Sequence, residues 1–113
     1  MKVFHYTKIE AVDAGEGSSK LKVRWLITKD LGAENFAMRL FEMEPDGHSP
    51  LHAHPWEHEV FILEGEGVVT DGKKTQKFGV GDVVFVPPDE KHQFKNNGTK
   101  TLKFLCLIPY KEK

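Results

Sequence analysis

Four of the six histidines fall in two places: His52-Ala53-His54-Pro55-Trp56-Glu57-His58, and His92 thirty-four residues later. Imidazole nitrogen is a ligand for zinc, copper, iron, nickel and manganese, whereas calcium and magnesium prefer oxygen, so this set points to one divalent transition metal. Side chains alternate faces along an extended segment, so His52, His54 and, if the register survives Pro55, His58 share one face. His92 must arrive from a distant strand, just after the Pro87-Pro88 turn. Four separate histidines on apolar strands would each need a buried partner, and one metal satisfies them together. His5 and His48 stand apart from this cluster and read as ordinary surface or hydrogen-bonded histidines.

The elements that must carry these residues are short runs of Val, Ile, Phe, Thr and Leu punctuated by Gly, Pro, Asn and Asp, the signature of an all-β sandwich or barrel. Strands are predicted over residues 23–28, 36–44, 57–63, 67–70, 73–78, 82–86, 92–95 and 102–108. Asp71-Gly72 suits a tight type I′ hairpin, Asn97-Gly98 offers a second positive-φ turn, and residues 14–20 read as a loop. Residues 1–113 are expected to form one domain, with the barrel core at about 36–109.

Two stretches carry a resemblance to a known family. The first runs Asp46-Gly47-His48-Ser49-Pro50-Leu51-His52-Ala53-His54-Pro55-Trp56-Glu57-His58 and then Glu59-Val60-Phe61-Ile62-Leu63-Glu64-Gly65; the second runs Gly81-Asp82-Val83-Val84-Phe85-Val86-Pro87-Pro88-Asp89-Glu90-Lys91-His92-Gln93-Phe94-Lys95-Asn96. They resemble the two motifs of the cupins, and the sequence is most similar to the small manganese-binding cupins with a four-histidine site. The resemblance implies a double-stranded β-helix, or jelly-roll, barrel with metal ligands at His52, His54, His58 and His92. Manganese is the metal it favours, with iron, copper, nickel or zinc as the others. Three departures stand out. Asp46 replaces a glycine and shifts that role to Gly47, Asp89 takes another glycine position in a turn aspartate tolerates, and His58 occupies the slot of a glutamate ligand. Glu59 matches a longer spacing variant of that motif, but parity turns it away from the cluster.

Parity also sketches a pocket. With His92 inward Phe94 faces in, and with Lys103 outward so do Leu102, Phe104, Cys106 and Ile108; Phe104 and Cys106 are the ones expected to touch a ligand. Arg39, one of two arginines, is a candidate anchor for a substrate carboxylate or carbonyl. Four protein ligands leave an octahedral metal two adjacent positions, enough for a chelating substrate or for dioxygen beside a substrate. Related cupins include carbon–carbon-cleaving dioxygenases, so the leading expectation is a dioxygenase-like oxidoreductase acting on a small organic molecule. The alternatives are a non-catalytic binding or sensing module, and a redox-neutral isomerase, for which Glu42 and Glu59 are the acids or bases at hand.

Composition bounds the partners. Sixteen basic against seventeen acidic residues, net charge −1, give no footprint for nucleic acid or an anionic membrane. No apolar run approaches the roughly 20 residues of a membrane span. The lone Cys106 makes no internal disulfide and the N-terminus lacks a signal-peptide pattern, so a reducing cytoplasm is expected. Phe61, Leu63, Leu105 and Leu107 fall on the outward parity and predict a homodimer.

Overall fold

The computed structural model describes residues 1–110. Its strands are β1 (Val12–Asp13), β2 (Ser19–Ile27), β3 (Phe36–His48), β4 (His58–Glu64), β5 (Gly67–Thr70), β6 (Thr75–Phe78), β7 (Val83–Val86), β8 (Gln93–Lys95) and β9 (Leu102–Pro109). They run antiparallel in the order β6-β5-β8-β3-β9-β4-β7, with β2 beside β3 and β1 beside β2. The sheet curls on itself into the expected all-β barrel. Its inner face buries what the alternation selects: His58, Val60 and Ile62 on β4, and Leu102, Phe104 and Cys106 on β9. Phe41, Phe104 and Phe94 stack in a row across three strands, with centroids 5.3 and 5.1 Å apart.

β2 and β3 are longer than predicted. β2 starts at Ser19, so the loop ends at residue 18, and β3 continues past Glu44 and Pro45 to His48, where it pairs with Ser19 and Lys95. Asp46 takes the left-handed conformation at φ 69°. Gly47 does not, but a Cβ there would lie 2.8 Å from both Glu44 O and Met43 Cγ. The two roles a single glycine could combine are divided between neighbours. Asp89, in the turn position that aspartate tolerates, likewise sits in the left-handed region at φ 66°.

Two turns differ from expectation. Four residues separate β5 from β6, and Asp71 Oδ1 accepts from the backbone N–H of Lys73 and Lys74, so the turn is a side-chain-closed loop with Gly72 at φ 97° rather than a two-residue type I′ turn. Gly98 has no positive φ; its N–H donates to Asn96 Oδ1. Asn96, 2% exposed, donates from Nδ2 to Met43 O and Lys100 O, tying the turn before β9 to β3. All its hydrogen-bonding groups are used internally, as burial requires.

Candidate metal centre

The cluster is assembled by backbone pairing before any side chain acts. His52 N donates to His92 O at 3.1 Å and His92 N returns to His52 O at 2.9 Å, so these two residues face each other across an isolated antiparallel bridge. Asp89 N donates to His54 O at 2.7 Å, fastening the Pro87-Pro88 turn against the histidine loop. β4 begins at His58 with that side chain inward, and its pairing with Val86 of β7 fixes the register.

All four predicted imidazoles come together. Ring centroids lie 4.9 Å apart for His52 and His92, 4.9 Å for His54 and His92, 5.1 Å for His58 and His92, and 4.6 Å for His54 and His58. Ligand atoms of His52, His54 and His92 lie within 4.8 Å of one another. His58 joins through His54, Nε2 to Nε2 at 2.8 Å. Two nitrogens bound at right angles to one ion, each at about 2.0–2.1 Å, are about 3 Å apart, so this spacing suits neighbouring donors.

Tautomers follow from the partners. His54 Nδ1 lies 2.8 Å from Trp56 O and His92 Nδ1 2.9 Å from Glu90 O. A carbonyl only accepts, so both Nδ1 atoms carry the proton and both Nε2 lone pairs face the cluster. His58 Nδ1 has different company, Cys106 Sγ at 3.2 Å and Arg39 Nη2 at 3.3 Å, while Arg39 Nη2 donates to Cys106 Sγ at 3.0 Å. When His58 Nε2 serves as a donor to metal, its Nδ1 bears the proton and the Cys106 sulfur is the acceptor in reach. The residues present fit a divalent transition metal on these grounds.

Burial, Arg39 and the neighbouring imidazoles push His58 down to about 3, and burial first, then His92, lowers His52. Burial also lowers His54, against the hydrogen bond to Trp56 that raises it. His52, His54 and His58 are therefore held in the neutral form at pH 7, the form that binds metal. This sets a pH dependence for the chelator-treated protein. The unfolded histidine binds a proton near its ordinary 6.5 and folded His58 only near 3. Stability present above about pH 6.5 is lost as the pH falls toward 3, by up to about 1.4 kcal/mol per pH unit from His58, with His52 and His54 acting in the same direction. Urea midpoints at pH 7.5 and 5.0 are expected to differ accordingly; equal midpoints would contradict neutral burial.

The histidines open onto a cavity of about 240 Å³. Phe94, Phe104, Cys106 and Ile108 line it as parity foresaw, and so does Arg39, whose backbone pairs with Trp25 on one side and Cys106 on the other. Burial pushes the Cys106 thiol up, with Arg39 pulling the other way. Trp25, Phe41, Pro50 and Trp56 also belong to the wall and were not foreseen. The position of Trp56 between two of the histidines was an available signal, and its ring stacks on His54 at 4.1 Å. Among the described residues no carboxylate lines this cavity. Glu42 is outside, ion-paired to Arg24 at 2.9 Å, and Glu59 is exposed on the outer face opposite Phe85 and Leu107. Neither reaches the site as an acid or base.

A curled antiparallel barrel with a histidine cluster opening into its interior defines a β-barrel with a candidate metal site. The family described as Cupin domain matches residues 39–108, and the chain belongs to it. The chain is 35% identical to the polyketide cyclase RemF of Streptomyces resistomycificus, covering 96% of this chain and 79% of that one with a TM-score of 0.90. It is 34% identical to an oxalate-binding protein of Thermotoga maritima over 81% of this chain and 78% of that protein. It is 37% identical to a 1-methylthio-D-xylulose 5-phosphate methylsulfurylase of Rhodospirillum rubrum over 63% of this chain, a match spanning 46% of that enzyme. Among the described residues no helix is long and apolar enough to cross a membrane.

Proposed function

We propose that His52, His54, His58 and His92 hold one divalent transition metal, manganese first by resemblance, and that the cavity presents a small organic substrate to it for dioxygenase-like oxidation. The observation that carries this reading is a set of four converging imidazoles at the edge of an aromatic cavity without a carboxylate. With neutral ligands a metal keeps its full charge, and it supplies Lewis acidity toward substrate oxygens and, when redox-active, a route for electrons to dioxygen. The chain's own part is to hold the four imidazoles, to keep bulk water off with Phe41, Phe94 and Phe104, and to orient the substrate. Dioxygen is the oxidant; one substrate carbon–carbon bond breaks and both oxygen atoms end in the fragments. The chemistry needs no protein carboxylate in the wall.

Oxygen uptake with a β-diketone or catechol panel is expected to follow the bound redox metal and to disappear in His52→Ala. Uptake independent of the metal would sink the reading. A redox-neutral reading has one observation in its favour, the 35% identity to a polyketide cyclase across 96% of the chain. It predicts substrate loss at an undiminished rate without oxygen. Tight binding with no turnover in either atmosphere would mark a binding module, which the similarity to an oxalate-binding protein supports.

We further propose that the protein works in the reducing cytoplasm, where Cys106 remains a free thiol, and that two copies pair through the outer face of β3, β9, β4 and β7. Met38, Phe61, Val83, Phe85, Leu105 and Leu107 line a groove there. Phe85 is 60% and Val83 74% exposed in the single chain, a large apolar surface for water to cover.

A further inference from the structure

The two arginines are treated differently by the fold. Arg24 is neutralised: Nε donates to Glu42 at 2.9 Å and a terminal nitrogen donates to Ile9 O. Arg39 faces the cavity, and among the described residues no carboxylate is paired with it. Its Nη2 is engaged by Cys106 Sγ and sits beside His58 Nδ1, but Nε is buried without a partner. The guanidinium lies over two rings, 5.3 Å from Trp25 and 4.8 Å from Phe41, which fix its plane without supplying negative charge. A half-buried cation with an idle N–H donor and no counter-charge is costly unless a ligand supplies one. Arg39 and the other histidines are near opposite edges of the same His58 ring, with Nδ1 toward Arg39 and Nε2 toward His54.

We propose that Arg39 is the specificity residue of this cavity and selects a small, flat molecule bearing a carboxylate for the guanidinium together with a second oxygen donor for the histidine centre. This deepens the metal reading and rests on it for the second oxygen alone. An aromatic or enolic acid with a neighbouring hydroxyl or keto group has that form. Its body would stack among Phe41, Phe104 and Trp25, and the 240 Å³ cavity is below the roughly 300 Å³ at which drug-sized pockets begin. Planar, forked recognition by guanidinium separates a carboxylate from its amide, which brings N–H donors against N–H donors.

The test is calorimetric titration of manganese-loaded protein with salicylate and with salicylamide, its neutral counterpart, for wild type, Arg39→Gln and Arg39→Lys, with metal content measured on each sample. Wild type is expected to prefer salicylate by at least about tenfold. Arg39→Gln should keep its metal and its affinity for salicylamide while losing that preference, and Arg39→Lys should recover part of it. Equal binding of the two probes by wild type, no binding of either, or an undiminished preference in metal-replete Arg39→Gln would each overturn the proposal. Repeating the titrations after chelation separates the two readings. A carboxylate preference that persists without metal and vanishes in Arg39→Gln upholds Arg39, even if wild type had held no metal and the metal reading had failed.

Discussion

His58→Ala is expected to purify without its metal, while Glu59→Ala keeps the full complement. The two residues are neighbours and either could fill the ligand slot by spacing, but β4 sends them to opposite faces. His58 is buried against Arg39 and Cys106 with Nε2 at 2.8 Å from His54, and Glu59 lies exposed between Phe85 and Leu107. Removing an imidazole deletes one donor and leaves Cys106 and Arg39 facing a void, so the loss should exceed the roughly 10–100-fold typical of an outer partner. Elemental analysis and a chelator competition on both variants read this directly. Metal retained in His58→Ala and lost in Glu59→Ala would reverse the assignment. Cys106→Ala is an intermediate case, since it removes the acceptor for His58 Nδ1–H without touching a donor to metal.

The inward set was legible because it depends only on a period of two. Once one residue of β4 or β9 is placed, the rest of that strand follows, and Phe94, Phe104 and Cys106 arrive where parity put them. What was not legible depends on pairing between strands far apart in sequence. Trp25 enters the wall because β2 pairs it with Arg39 just before a register shift at Ile27, and nothing local announces that shift. Arg39 meets Cys106 across β3 and β9, sixty-seven residues away, so its orientation was ambiguous from its own strand. Glu42 could be held a pocket acid until Arg24, eighteen residues upstream, was found to claim it. The strand ends were hidden for another reason: Pro45 suggests a stop, but Asp46 accepts a left-handed conformation that lets β3 run on to His48.

Phe85→Lys is expected to convert a dimer into a monomer, with little effect on the fold. In wild type a single sedimenting species of twice the 12.9 kDa chain is anticipated at micromolar concentration. The reasoning starts from cross-strand register: Phe61 pairs with Leu105 and Val83, and Leu107 with Met38 and Glu59, so the apolar residues of four adjacent strands meet as one outward surface. Phe85 is 60% exposed at its edge, so a lysine there disturbs no internal packing but brings a charge into the contact at each of two symmetry-related positions. Desolvating both charges outweighs the apolar area gained. Glu59 lies within the same surface and opposite Phe85 across β4 and β7, so a rescue is built into the test. If dimerisation of Phe85→Lys returned at low salt and vanished at high salt, Glu59 would be pairing with it across the interface. A wild-type chain that sediments as a monomer at these concentrations would refute the interface, and metal binding measured on that monomer would show that the histidine centre stands without it.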